Sequence, residues 1–226
     1  MAVWLVAMSL WLSRPLVQFG FGLDVRLHPV GAARFIADHM LQPQILHFQG
    51  EGNYLLYALP DYRVFLDTRE SMYASLGPIY RNMVNNPSLM TDVMSRYRVS
   101  TVLLPEAFLL TPWPGGVSRR AAFFPKREFA LVYFDEHYAV FARRIPGHTA
   151  LIAAHEYEYL LPYRDPAAYL STHDRTPERD LAFQREIERC RRENPSLPHC
   201  QVAESALRRQ EASPEGTGLR ATTVIR

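Results

Sequence analysis

An aspartate and an arginine two residues apart, Asp67 and Arg69, close the apolar run Arg63–Leu66. Open α/β sheets present ligands just beyond the carboxyl ends of their strands. An arginine beside such a carboxylate can grip a phosphate through two parallel N–H donors. The same pair also suits a structural ion bridge, or an aspartate capping the next segment. Tyr54, Tyr57, Tyr62 and Tyr73 lie close by in sequence. Tyrosine combines an apolar face with a hydroxyl, which fits a sugar groove as well as core or rim packing. Glu51, between Gly50 and Gly52, reads as a carboxylate on a flexible turn, where it either meets a substrate hydroxyl or sits in water. The plainer expectation is water.

Other patterns carry less. His155-Glu156 lacks the second histidine that a hydrolytic zinc helix needs four residues on, since Tyr159 stands there. No serine occupies a G-x-S-x-G elbow, and no G-x-G-x-x-G follows the first strand. His199-Cys200 offers too few ligands at tight spacing for structural zinc. Neither metal nor cofactor is expected. Cys190 and Cys200 can close a short loop in an oxidising compartment, but the plainer expectation is two unpaired thiols.

The elements that must position these residues follow from periodicity. Pro29–Leu41 has apolar residues at helical spacing behind a leading proline. Ile45–Phe48 is a short buried strand, Gly52–Leu59 a short helix stopped by Pro60, and Arg63–Asp67 a strand. Helices begin near Pro78 and Pro87, the second capped by Asn86. Val99–Leu104 is another buried strand, and Trp113–Gly116 a turn-rich loop. Glu128–Phe134 and His137–Arg143 form a hairpin around Asp135-Glu136. The order predicts an α/β fold: a small mixed sheet in two or three layers, with flanking helices and a C-terminal hairpin. Val64-Phe65-Leu66, apolar on both faces, is expected at the centre of that sheet.

The 226 residues allow one full core plus an appendage. The four expected segments are an apolar stretch over 1–27, the α/β domain over 28–145, a helical tail over 146–210 and a disordered end over 211–226. The tail is charged between Arg175 and Arg192 and reads as solvated helix. A net charge of +2 and a single lysine, Lys126, argue against a nucleic-acid partner. Ala2–Leu12 is apolar except for Ser9, and Leu16–Leu23 resumes after Arg14-Pro15. A full span needs about 20 such residues. The stretch therefore reads as the end of a transmembrane helix, or as an N-terminal helix packed on the domain.

Several stretches together resemble a known family. They are Gly52-Asn53-Tyr54-Leu55-Leu56, Leu59-Pro60-Asp61-Tyr62-Arg63-Val64-Phe65-Leu66-Asp67-Thr68-Arg69 with Tyr73, and Arg96-Tyr97-Arg98-Val99 with Val102-Leu103-Leu104. Phe129–Asp135 running to Ala139-Val140-Phe141 completes the set. In order and spacing, His28–Arg144 resembles the soluble C-terminal domain of bacterial GT-C-class membrane glycosyltransferase-like proteins. Where the family pattern has a tryptophan and a second glycine in its first turn, this chain has Gln49-Gly50-Glu51 and Asn53, and Phe129 replaces a further tryptophan. The family's catalytic base sits in a loop between membrane helices, which has no counterpart here.

The resemblance implies a non-catalytic accessory domain on the periplasmic side of a bacterial inner membrane. Its partners would be a membrane or membrane-embedded protein and a lipid-linked sugar or acceptor, with Asp67, Arg69, Tyr73, Tyr54 and Glu51 as binding residues. The competing readings are a free-standing protein-interaction module and a small α/β enzyme, the last without a visible nucleophile–base set.

Overall fold

The computed structural model describes residues 26–69, 75–111, 118–162, 164–170 and 176–211. Five strands form one open mixed sheet in the order β2-β1-β3-β5-β4. Helix α1 (Val30–Asp38) leads into β1 (Gln44–Leu46), α2 (Gln49–Ala58) and β2 (Arg63–Val64). Helices α3 (Leu76–Met83) and α4 (Pro87–Arg96) precede β3 (Thr101–Pro105). Two short helices, α5 (Glu106–Leu110) and α6 (Arg119–Phe123), lead to the hairpin β4 (Phe129–Phe134) and β5 (Tyr138–Arg143). The C-terminal part holds α7 (Thr149–His155), α8 (Pro166–Leu170), α9 (Pro177–Glu193) and α10 (Pro198–Glu211). β1 runs parallel to β2 and β3, while β5 is antiparallel to both β3 and β4.

Alternation along the strands makes the sheet the middle of three layers. In β5, Ala139 and Phe141 enter one core with α3–α6, while Tyr138, Val140 and Ala142 enter the other with α1 and α2. In β4 the alternation slips at a register shift between Leu131 and Tyr133. Val132 and Tyr133 therefore both face α1, and Phe134 returns to the opposite core. One inserted residue in a bulge has this effect.

Local signals hold where expected. Asn86 Oδ1 accepts the Leu89 N–H at 3.1 Å, capping α4. Asp135 Oδ1 accepts the N–H groups of His137 and Tyr138 at 2.8 and 2.9 Å, and Oδ2 accepts the Tyr133 hydroxyl at 2.9 Å. Asp135 is thereby committed to the hairpin turn.

Three expectations are corrected. β2 is a two-residue edge strand, not the centre of the sheet. Its ladder stops because the Phe65 N–H bonds the His47 ring at 2.9 Å instead of a strand. The central position goes to β3, whose Thr101–Leu104 run is buried on both faces.

The tail is not a solvated appendage. Phe183, Ile187, Cys190, Cys200 and Ala203 are buried in the same core as Leu131, Phe134 and Phe141. Glu186, also buried, accepts the backbone N–H groups of Glu158, Tyr159 and Leu160 at 2.8, 3.0 and 2.7 Å. That carboxylate ties α9 to the segment after α7.

Cys190 and Cys200 form a disulfide, with 5.9 Å between their Cα atoms. The turn between α9 and α10 brings them together, and Asn194 Nδ2 anchors that turn on the Phe134 carbonyl at 3.1 Å. Ala2–Leu23, the loop Trp113–Gly116 and the segment 212–226 lie outside the described residues. Among the described residues, no helix is long and apolar enough to cross a membrane.

Candidate functional site

The carboxyl ends of β1, β2 and β3 deliver His47, Asp67 and Glu106 to one end of the sheet. The start of β5 returns there, because Tyr138 pairs with Pro105. Helix α2 begins at the same end, with Phe48 as its cap residue.

A single glycine sets how closely α2 approaches. A Cβ on Gly52 would collide with the Leu66 carbonyl and lie 2.9 Å from Asp67 Cα. With hydrogen there instead, the first turn of α2 rests directly on the Leu66–Thr68 backbone. Asn53 Nδ2 then donates to Thr68 Oγ1 at 2.8 Å, and Gln49 Nε2 lies 3.5 Å from the Asp67 carbonyl. Gln49 and Asn53 thus bind this turn to the strand end.

Glu51 is neither on a turn nor in water. It occupies the first turn of α2 and is 6% exposed. Three residues after the cap, it faces back toward the Phe48 and Glu51 backbone N–H groups, as in a capping box. Burial outweighs that help and pushes its carboxyl from 4.5 up to about 7. Its Oε2 is buried and has no hydrogen-bond partner. Glu51 in turn raises two tyrosines already raised by burial: Tyr80, whose hydroxyl accepts the Gln49 N–H at 3.1 Å, and Tyr138, pushed up to about 12. Glu106 is also carried to about 7, by partial burial and then by Asp135 and Glu136.

Asp67 is fully buried, whereas the Arg69 side chain is 55% exposed. Asp67 Oδ1 accepts the Arg69 backbone N–H at 2.8 Å and Nε at 3.0 Å. Oδ2 accepts Nη2 at 2.5 Å. The carboxylate orients the guanidinium from below and leaves its outer part toward solvent.

His47 is no general base. Its Nδ1 donates to the Phe48 carbonyl at 2.6 Å and its Nε2 accepts the Phe65 N–H, so the neutral ring joins β1 to the end of β2. Burial pushes its pKa down to about 4.

The remaining candidates separate. Tyr73 lies outside the described residues. Tyr54 stacks on His28 with ring centroids 5.5 Å apart, and Tyr57 is 79% exposed beside it. Tyr62 donates to the Ile36 carbonyl at 3.4 Å and lines a concavity of about 370 Å³ with Ala37, Met40, Ala58, Pro60 and Asp61. That concavity lies at the amino-terminal end of β1, away from Asp67. No described group of three His, Cys, Asp or Glu can hold a metal ion.

Sequence reasoning missed His47, Tyr80, Glu106 and Tyr138. The signal for two of them was position: His47 lies within the buried run Ile45–Phe48, and Glu106 follows the Pro105 that ends the run Val99–Leu104.

Comparisons with protein-family models, curated proteins and solved structures give no match to this chain. Fold and geometry therefore define the class: an open mixed α/β protein with a polar cluster at the carboxyl ends of its parallel strands.

Proposed function

We propose that this chain is a non-catalytic accessory domain that binds the sugar or acceptor part of a lipid-linked ligand beside a membrane glycosyltransferase-like partner. The observation that carries the reading is Glu51 Oε2, a buried oxygen without a partner at the carboxyl ends of β1 and β2. A buried polar atom left unpaired is destabilising unless something completes it, and a ligand hydroxyl can. Arg69, oriented by Asp67 and half in solvent, supplies the charge that a phosphate linkage requires. The order of motifs between His28 and Arg144 supports the membrane-transferase context. The Cys190–Cys200 disulfide supports an extracytoplasmic location, since such bonds persist in oxidising compartments.

Catalysis is not assigned: His47, brought to this site by the end of β1, has both ring nitrogens committed to backbone groups. Acceptor activation needs a base free to take a proton. The full chain, purified, is titrated with a polyprenyl-phosphate monosaccharide, with polyprenyl phosphate and with the free sugar, and binding is read by saturation-transfer NMR. The lipid-linked sugar should bind, Glu51→Gln should weaken the sugar arm and Arg69→Ala the phosphate arm. Absence of binding in every arm overturns the proposal, as does glycosyl transfer by the chain alone.

A further inference from the structure

We infer that the outer face of α1 and α2 is a membrane-docking surface that lies against lipid headgroups and the outermost acyl carbons. The inference rests on the membrane reading above and adds to it the side of the molecule that meets the bilayer.

The two sides of the sheet are covered unequally. Among the described residues, α3–α6 and the tail helices close one side, while α1, α2 and part of α7 cover the other. On that thin side several large apolar residues point outward. Leu27 is 68% exposed, Tyr57 79% and Met40 83%. They are linked in space: Leu27 adjoins His28, which stacks on Tyr54, and the Tyr54 and Tyr57 ring centroids lie 6.3 Å apart. Met40 shares a concavity with Ala58, the residue after Tyr57.

Met40 is also held in an unfavourable backbone. Its φ is 47°, a left-handed position at the end of α1 that glycine fills most easily. The fold thus keeps a long apolar side chain projecting outward where a glycine would serve the turn better.

What covers this face is indicated by where the chain enters it. The apolar stretch Ala2–Leu23 joins the described structure at Arg26, immediately before Leu27. Tyrosines suit the headgroup level of a bilayer, with apolar ring and polar hydroxyl on opposite sides of the boundary. Arg34, exposed on α1 and close enough to bias Tyr54, adds a cation facing the same way.

The test uses the full chain reconstituted into phosphatidylcholine–phosphatidylglycerol vesicles. A photo-crosslinking phenylalanine derivative replaces Tyr57, Met40 or, as control, Leu181, which is exposed on α9 at the other side of the sheet. Positions 57 and 40 should give a several-fold excess of lipid adducts over position 181. Vesicle-bound chain with no such excess overturns the docking face and leaves the membrane reading standing. Adducts at 57 to a second copy of the chain also overturn it, in favour of self-association. Chain that fails to float with the vesicles removes the membrane reading and this face together.

Discussion

His47 and Glu51 stand four residues apart, and burial shifts them in opposite directions. The fold favours neutral His47, so its contribution is complete above about pH 6.5 and is lost as pH falls toward about 4. The fold also favours protonated Glu51, so its contribution is complete below about pH 4.5 and is lost as pH rises to about 7. Each amounts to about 3 kcal/mol at full extent, and the two largely offset each other between those limits. Glu51→Gln removes one side of this balance. Urea denaturation of that variant should show it more stable than the parent at pH 8, with the gap closing toward pH 5. A gap constant with pH would mean that Glu51 is ionised without penalty in the fold. Asp67 gives a second residue-scale prediction. Its carboxylate accepts the Arg69 backbone N–H, Nε and Nη2, and only Arg69 reaches solvent. Asp67→Asn should therefore cost about 2–3 kcal/mol, mostly from hydrogen bonds lost by a buried acceptor. A change near zero would show that the carboxylate serves a ligand and not the fold.

At the scale of elements, two helices end in the same way. After α1, the Leu41 N–H returns to the Ile36 carbonyl and Met40 N–H to Ala37, both at 3.1 Å. After α4, the Val99 N–H returns to Met94 at 2.8 Å and Arg98 N–H to Ser95 at 3.2 Å. Both are Schellman-type ends, and both place a non-glycine residue at positive φ, 47° for Met40 and 50° for Arg98. Met40→Gly and Arg98→Gly should each stabilise the protein by about 1 kcal/mol by relieving this conformation. Thermal or chemical denaturation of the two single variants checks it. A loss of stability at position 98 would mean that the Arg98 side chain contributes more than its backbone position costs. Helix starts and the hairpin turn were legible in the sequence because caps and turns depend on near neighbours. Asn86 and Asp135 could be read from their own surroundings, whereas Met40 and Arg98 gave no glycine to mark a stop.

For the whole molecule, the tail decides how the large core is completed. The Cys190–Cys200 bond closes a loop of sequence separation 10 between helices that cover the β4–β5 hairpin. Constraining a loop of that size in the unfolded chain stabilises by about 3 kcal/mol. Reduction, or the paired change of Cys190 and Cys200 to alanine, should lower the unfolding midpoint accordingly. Circular dichroism with and without reductant measures this. The accompanying loss of helical signal should be modest, because Phe183 and Ile187 remain buried under β4 without the bond. Complete loss of α9 and α10 on reduction would mean that the disulfide, and not the apolar contact, holds the tail.

Sequence alone determined what is local. Periodicity, caps and turn residues marked the helix–strand order, the hairpin and the carboxylate at the end of the Arg63–Leu66 run. Asp67 and Arg69 were legible as a pair because two residues of separation leave them adjacent in almost any backbone. Tertiary structure alone decided which strand lies at the centre, since β2 and β3 have similar apolar runs and only pairing ranks them. It decided that Glu51 is buried, because the glycine beside it brings α2 onto the Leu66–Thr68 backbone from fourteen or more residues away. It also decided that a charged tail carries part of the core and that its cysteines meet. A sparse stripe such as Phe183, Ile187 and Cys190 reads as solvated helix until a complementary apolar surface is available to bury it.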